Sequence, residues 1–218
     1  MGVLNFFKKK DDSSNYMNED KLIDILFKRY NCYNFGSEEY NIILDKLKCV
    51  CEMKGFSIND LVFIENGQDS IVFSCNDSII KICNLFYNTT TLTEYVSNCA
   101  FILKPNIEEC LFVKDRFFSF MEFPKLNTNK INNSDVVRMS CKLRDNGYLW
   151  HDPRPSNLGK DNEGRIFLID YGQLIYINDL DYVQYQIQLN SYKNKFPDLD
   201  NAYSKRLMSD RDFLGRRK

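Results

Sequence analysis

The spacing of apolar side chains predicts two helices near the start of the chain. Over residues 18–30, leucine, isoleucine and tyrosine recur every three or four positions behind acidic residues, which are typical of a first helical turn. Residues 37–54 repeat this spacing, with Ser37 as the predicted N-cap and Gly55 just past the end. We therefore expect an N-terminal helical element.

The pattern changes at Phe56 to short runs rich in β-branched and aromatic residues, separated by polar breaks. Helical spacing returns over residues 89–103 and 132–147, with Ser134 as the predicted N-cap of the second of these helices. The order of elements predicts an α+β fold with an antiparallel sheet followed by helices, closed by a short tail. The predicted strands are residues 60–64, 70–75 and 78–83 and a hairpin over 110–123 that turns at Lys114–Asp115.

Length and charge exclude several classes of protein. The 218 residues suffice for one domain with a substantial core, or one domain with an appendage. A formal net charge of −1 gives no reason to expect a nucleic-acid partner. Neither a signal-peptide pattern nor an apolar run of about 18 residues occurs, so we expect a cytoplasmic protein without integral membrane association.

The cysteines do not predict a metal site. The chain has eight cysteines and one histidine, and no two cysteines stand in a C-x-x-C pair. Structural zinc sites usually draw their ligands from closely spaced residues. We expect buried free thiols in a reducing compartment instead.

Three side chains of one short segment carry the candidate chemistry. Asp152, Asn157 and Asp170 lie within residues 147–173, and an Asn-Glu-Gly turn predicts a β-hairpin between the last two. The hairpin would bring Asn157 and Asp170 side by side, where their oxygens would hold Mg²⁺. Phosphoryl transfer also needs a carboxylate that orients the attacking hydroxyl, and Asp152 is the candidate.

These residues resemble motifs of the protein-kinase-like superfamily. D-x-x-x-x-N followed by D-Y-G looks like the catalytic loop and the D-F-G metal motif of that superfamily. D-P-R-P-S-N is similar to the D-x-x-P-x-N of antibiotic and lipopolysaccharide-core sugar kinases. The resemblance implies that Asp152 is the catalytic aspartate, and that Asn157 and Asp170 bind Mg²⁺, or Mn²⁺ in its place.

The segment upstream supplies further matches in the order that the superfamily requires. I-E-N-G-Q-D-S-I-V-F resembles a glycine-rich loop, with Gly67 at its second glycine and Val72 at the valine that covers adenine. Lys81 matches the phosphate-binding lysine of the third strand, and Glu94 is the candidate for its ion-pair partner. The other acidic candidates for that partner are Glu108 and Glu109.

The stretch S-F-M-E-F looks like the hinge of the superfamily, with Met121 as gatekeeper and Glu122 and Phe123 linking two lobes around the adenine. The resemblance implies a bilobal protein-kinase-like fold, with an antiparallel N-lobe sheet and a truncated helical C-lobe, and ATP bound between the lobes. The expected parts are a flexible N-terminus, the N-terminal helical element, the kinase N-lobe and a minimal C-lobe, at residues 1–17, 18–55, 56–123 and 124–218.

The sequence departs from the kinase pattern in the catalytic loop, the glycine-rich loop, the hinge and the segment after D-Y-G. Trp150 and His151 replace the first two residues of H-R-D, and Glu65 and Ser70 replace two glycines of the loop. Pro124 after the hinge has no backbone N–H for adenine. No A-P-E motif follows D-Y-G, and the rest of the chain is too short for a full helical C-lobe.

This truncation resembles the short effector kinases, of OspG and NleH type, that pathogenic bacteria deliver into host cells. The favoured function is a monomeric Ser/Thr protein kinase of that kind, with a protein substrate or an activating partner protein. The D-x-x-P-x-N form leaves a sugar or small-molecule kinase open. The altered glycine loop and Pro124 leave a pseudokinase-type binding module open.

Overall fold

The chain forms two compact units, each with its own α and β elements. The computed structural model describes residues 17–66, 70–84, 99–170 and 173–215, with residues 208–215 as backbone only. Unit 1 comprises the described residues of 1–94 and 104–125, and unit 2 those of 95–103 and 126–218. The predicted α+β class with an antiparallel sheet is confirmed.

Unit 1 begins with the two predicted helices, α1 (Glu19–Tyr30) and α2 (Ser37–Met53). Asn18 caps α1 with its side chain. The prediction that Ser37 caps α2 is wrong, because Gly36 holds the N-cap position and its N–H donates to the Glu39 carboxylate at 2.6 Å. Gly55 takes a φ of +72° just past the end of α2, a left-handed conformation that suits glycine.

Five antiparallel strands follow, in the spatial order β1-β2-β3-β5-β4. The second and third strands lie where predicted, and the hairpin turn at Lys114 is confirmed by its left-handed φ of +54°. β1 lies two residues later than predicted, because Ser57 caps a 3₁₀ turn at Ile58–Asp60. The strands are β1 (Val62–Asn66), β2 (Ser70–Cys75), β3 (Ser78–Cys83), β4 (Ile107–Val113) and β5 (Arg116–Pro124).

Helices α1 and α2 pack against one face of this sheet and share its core. The helices contribute buried leucines and isoleucines, among them Leu22, Leu26, Ile43 and Leu47. Side chains alternate between the two faces of a strand, so each strand turns every second residue toward the helices. The sheet residues on the helix side include Ile71, Phe73, Ile80, Ile82, Phe118 and Phe120.

The described residues of unit 2 form three helices and two short antiparallel pairs of strands. The predicted helix over 132–147 is confirmed, but its N-cap is Asn132 rather than Ser134, since the Asn132 side chain accepts from two backbone N–H groups. Most of the predicted helix 89–103 lies outside the described residues. The elements are α3 (Asn133–Asp145), β6 (Tyr148–Trp150), β7 (Leu158–Lys160), β8 (Ile166–Leu168), β9 (Leu174–Tyr176), α4 (Tyr182–Lys195) and α5 (Pro197–Gly215).

Residues 182–195 and 197–215 form two helices where a short tail was expected. Leu189 and Tyr192 of α4 are buried in a small core with Leu149 of β6. The apolar residues of α4 do not form one stripe, since Val183 and Ile187 are exposed, and periodicity therefore does not predict this helix. Within the described part of the chain, no helix combines the length and apolar character that a membrane crossing requires.

Candidate active site

The candidate catalytic loop begins after β6 and leads through one 3₁₀ turn into β7. β6 pairs with β9, and the His151 N–H donates to the Gln173 carbonyl at 2.9 Å, so this pairing extends to the start of the loop. Asp152 follows directly. A 3₁₀ turn then runs from Pro155 to Asn157. Proline suits the first position of such a turn, because the N–H that it lacks would have no partner within the turn.

Asp152 and Asn157 are in direct contact. The Asn157 amide nitrogen donates to the Asp152 carboxylate oxygen Oδ2 and to the Asp152 carbonyl, each at 2.9 Å. Both partners are acceptors, so the amide must present its NH₂ group to them and turn its oxygen the other way. Asn157 is buried and Asp152 half-buried, which fixes this orientation of the amide.

The predicted hairpin between Asn157 and Asp170 is confirmed. β7 and β8 pair antiparallel with Leu158 opposite Leu168, and the Ile169 N–H donates to the Asn157 carbonyl at 2.9 Å. Asp170 is therefore one residue beyond the position opposite Asn157. Residues thirteen apart in the chain become neighbours because both ends of a hairpin lie at the same edge.

This donor set fits a hard cation such as Mg²⁺. The Asn157 oxygen Oδ1 is directed away from Asp152, and Asp170 is exposed after the end of β8. One neutral amide oxygen and one carboxylate are ligands that Mg²⁺ accepts while it keeps several waters. Among the described residues, no group of three or more His, Cys, Asp or Glu side chains is arranged to hold a metal ion.

The structure adds Arg154 to the predicted residues of the loop. Its guanidinium forms an ion pair with the same Asp152 oxygen that Asn157 contacts. Arg154 is 64% exposed in its side chain, so this pair is accessible to solvent. An arginine two residues from a candidate catalytic aspartate was a signal in the sequence, but chain position alone does not show that the two side chains meet.

The hairpin is fastened to the rest of unit 2 through Lys160 of β7. Its Nζ donates to the fully buried Asp135 carboxylate at 2.9 Å and to the Lys130 carbonyl at 2.8 Å. The backbone of Lys160 pairs in both directions with Asn127, at 2.9 Å each way. Next to it, a Cβ on Gly159 would lie 2.6 Å from the Leu126 Cβ, so only glycine permits this close approach.

In unit 1, three of the predicted cofactor residues form one row across the sheet. Val72 is opposite Lys81, and Lys81 is opposite Met121, on the face away from α1 and α2. Phe123 lies on the same face, and the Lys81 ammonium is 5.6 Å from the centre of its ring. This face of the sheet therefore combines apolar side chains with the Lys81 ammonium.

Glu108 of β4 extends the same row, since it is opposite Met121. Burial raises the pKa of its carboxyl group. Glu109 is on the helix side, where its carboxylate pairs with Lys46 at 2.8 Å. Of these two acidic candidates, only Glu108 shares a face with Lys81.

Glu122 is oriented differently from its neighbours Met121 and Phe123. Its carboxylate is fully buried on the helix side, where it accepts a hydrogen bond from Ser78. Its carbonyl accepts from the Asn106 N–H at 2.7 Å. The side chain of this predicted hinge residue is thus part of the interior of unit 1. Gly67 and Glu94 lie outside the described residues, and their predicted roles stay predictions.

Known proteins offer only distant comparisons. No protein-family model and no curated protein matches the chain. A structure of WbdD bound to the kinase inhibitor LY294002 is 16% identical with a TM-score of 0.35, and the match covers 55% of this chain and 35% of that one. A second WbdD structure, at 2.2 Å, gives 16% identity and a TM-score of 0.34, covering 62% and 38%.

A third structure, of the bifunctional kinase-methyltransferase WbdD, is 14% identical with a TM-score of 0.33 and covers 58% of this chain and 34% of that one. The chain thus spans little more than a third of the solved chains that it matches. The similarity to WbdD is distant.

Proposed function

We propose that the chain is a phosphotransferase that moves the γ-phosphoryl group of Mg-ATP to a hydroxyl group, with serine or threonine of a protein as the acceptor. The observation that carries this proposal is the contact of Asp152 with Asn157, together with the hairpin that sets Asp170 beside Asn157. This arrangement offers one carboxylate for the acceptor and two oxygen ligands for a cation, as phosphoryl transfer requires.

Asp152 would orient the acceptor. Asn157 and Arg154 both contact its oxygen Oδ2, so Oδ1 is the oxygen that would accept the hydrogen bond of the attacking hydroxyl. The acceptor oxygen forms the new bond to the γ-phosphorus, and the bond from that phosphorus to the bridging β-phosphate oxygen breaks. The acceptor proton passes to Asp152, and ADP carries away the negative charge of the leaving oxygen.

Asn157 and Asp170 would hold Mg²⁺ on the phosphates through Oδ1 and the carboxylate. Bound Mg²⁺ supplies charge neutralisation for the transferring phosphoryl group. The contribution of the two side chains is position, because the hairpin and the contact with Asp152 orient the Asn157 amide before any cation binds.

The face of the sheet that carries Val72, Lys81 and Met121 would bind the nucleotide. Val72 and Met121 are nearly fully buried there and offer an apolar surface for adenine, and Phe123 extends it. Lys81 would contact the α- and β-phosphates as a cation. Glu94 would hold Lys81 in the proposed ion pair, and Gly67 would contribute backbone to the phosphate-covering loop.

A Mg-ATP titration followed by thermal unfolding tests the proposal. Wild type should be stabilised by about 2.7 kcal/mol when the concentration of Mg-ATP is a hundred times its Kd. Asp170→Asn should lose the Mg²⁺-dependent part of that stabilisation, because a neutral amide replaces the charged ligand. Asp115→Asn is the matched control, since Asp115 is an exposed aspartate in the turn between β4 and β5.

Transfer of labelled γ-phosphate then separates binding from chemistry. Asp152→Asn should keep the thermal shift and lose transfer by at least about a hundredfold, as expected for loss of a positioned carboxylate. Transfer to protein serine or threonine supports the proposed acceptor, while transfer to a monosaccharide or aminoglycoside alone would replace it. Wild type without any shift or transfer would contradict the proposed function.

A further inference from the structure

Glu122 has a fully buried carboxylate whose partners come from two different elements of unit 1. Its Oε1 accepts a hydrogen bond at 2.5 Å from the hydroxyl of Ser78, the first residue of β3. Its Oε2 is 3.1 Å from Nζ of Lys54, the C-cap residue directly after α2, and this contact is an ion pair without hydrogen-bond geometry. An ionised carboxylate is costly to bury, and it is stable there only while its charge is compensated by such partners.

The position of Glu122 in β5 connects this ion pair to the opposite face of the sheet. The flanking residues Met121 and Phe123 point away from the helices, because side chains alternate along a strand. Any displacement of the β5 backbone at Glu122 therefore displaces both residues. These are the residues to which the proposed function assigns contact with adenine.

Helix α2 is a rigid partner for this contact. Its buried side chains, among them Ile43, Leu47 and Val50, are fully enclosed in the core that α1, α2 and the sheet share. Lys54 extends from the end of this anchored helix and is 31% exposed in its side chain. Its ammonium therefore approaches Glu122 from the end of a helix that is packed into the core.

We infer that Glu122 is a positioning residue, through which α2 sets the position of β5 and thereby the affinity of the nucleotide-binding face. The inference rests on the proposed function and gives the N-terminal helices a part in it. They hold the strand that carries Met121 and Phe123, and the Lys54–Glu122 ion pair is the connection. A partner protein that moved α2 would change nucleotide affinity through the same pair.

Direct measurement of Mg-ATP affinity by calorimetry, well below the unfolding temperature, tests the inference. Lys54→Met leaves the buried carboxylate without its cation and should raise the Kd for Mg-ATP about tenfold. Lys54→Arg, which keeps the charge, should restore the affinity of wild type. Glu122→Gln, which keeps an acceptor for Ser78, should weaken binding as Lys54→Met does, and combining the two substitutions should add little.

Lys48→Met is the matched control. Lys48 lies on the same helix with a similar side-chain exposure, 29% against 31%, and its partners Glu19 and Asp45 are on the helices rather than the sheet. This variant loses an ion pair of α2 without touching β5, so its Kd should stay within about twofold of wild type. Hydrogen exchange of the β5 amides should accelerate in Lys54→Met and not in Lys48→Met.

The outcomes separate the two claims. An equal Kd and equal exchange rates for Lys54→Met and Lys48→Met would overturn the positioning role of Glu122 while the proposed function stands. A wild type that binds no Mg-ATP would overturn the proposed function, and the claim about nucleotide affinity would fall with it. Loss of affinity in Lys54→Met, with recovery in Lys54→Arg, supports the inference.

Discussion

At the scale of the residue, His151 shows how burial sets the chemistry of a side chain beside the candidate catalytic aspartate. The imidazole is half-buried and meets the Tyr192 ring edge-on, with 5.8 Å between ring centres. The Lys195 ammonium donates to the His151 carbonyl. Burial, and then the positive charge of Lys195, lowers the pKa of His151 from its ordinary value of 6.5.

We predict that His151 is neutral at pH 7 and titrates below pH 6.5. As the only histidine of the chain, it gives a single set of imidazole NMR signals, whose pH dependence reports this pKa directly. Because the pKa of His151 is lower in the folded chain, the unfolded chain takes up the proton first as the pH falls. The contribution of neutral His151 to the free energy of unfolding is therefore full above about pH 6.5 and is lost as the pH falls through the lowered pKa. A measured pKa above 6.5 would contradict the burial of this ring.

At the scale of the element, the β7–β8 hairpin depends on an ion pair rather than on its own length. Each of its strands has three residues, which is too short for independent stability. The buried carboxylate of Asp135 holds Lys160 from the first turn of α3. Burial alone would raise the pKa of Asp135, but hydrogen bonds from Lys160, from the Asn132 backbone and from Arg138 lower it below its ordinary value.

Replacing Lys160 should therefore destabilise unit 2. Lys160→Met leaves Asp135 buried with one cation fewer, and we expect the free energy of unfolding to fall by about 2 kcal/mol in urea denaturation. Asp135 stabilises the fold above its unfolded pKa, and this contribution is lost as the pH falls through its lowered folded pKa. The variant should accordingly show a smaller loss of stability on acidification than wild type.

Arg165→Met is the control for Lys160→Met. Arg165 pairs with Asp161 in the turn between β7 and β8, but its side chain is 64% exposed. An exposed pair of this kind contributes about 0–1 kcal/mol. Equal effects of the two substitutions would show that the buried pair does not fasten the hairpin.

At the level of the whole molecule, helices α4 and α5 pack against α3 and are part of unit 2. Arg144 of α3 pairs with Asp200 of α5 at 2.5 Å, and both side chains are largely buried. The same guanidinium lies over the Tyr203 ring, 4.4 Å from its centre. On α4, the Tyr192 hydroxyl hydrogen-bonds with the Ser140 hydroxyl at 2.7 Å. Polar contacts from α3 thus hold both C-terminal helices.

We expect Arg144→Met to loosen α5 and to lower the free energy of unfolding by about 2 kcal/mol, because it leaves the Asp200 carboxylate partly buried and unpaired. Limited proteolysis should then cut within residues 197–215. Arg206→Met removes a more exposed pair with Asp145 and should cost about 0–1 kcal/mol. If both variants resist protease as wild type does, Arg144 is not the anchor of α5.

Much of the fold could be predicted because its signals are local. The helices over 19–30 and 37–53 and the strands over 70–75 and 78–83 follow from periods of 3.6 and 2 in consecutive residues. The caps were harder, because Ser37 and Ser134 suit an N-cap at least as well as the residues that hold it, Gly36 and Asn132, and only the backbone conformation decides between them. Helix α4 was not predicted, because its apolar residues do not all lie on one face of the helix.

The hairpin between Asn157 and Asp170 could be predicted from the amino-acid order alone, because a turn and two short strands are encoded within one segment. The resemblance to kinases assigned Val72, Lys81 and Met121 to one nucleotide site, but the register of β2, β3 and β5 is what sets them on one face. The hairpin depends only on residues near one another in the chain.

The partners of the buried charges, in contrast, depend on how distant parts of the chain pack together. Glu122 pairs with Lys54 and Asp135 with Lys160, across 68 and 25 positions of the chain respectively (122 minus 54 and 160 minus 135). No pattern in the sequence marks such pairs, because which carboxylate is buried depends on how separate elements pack. A buried charge must then find its compensation in three dimensions, wherever a cation of the packed structure comes within reach.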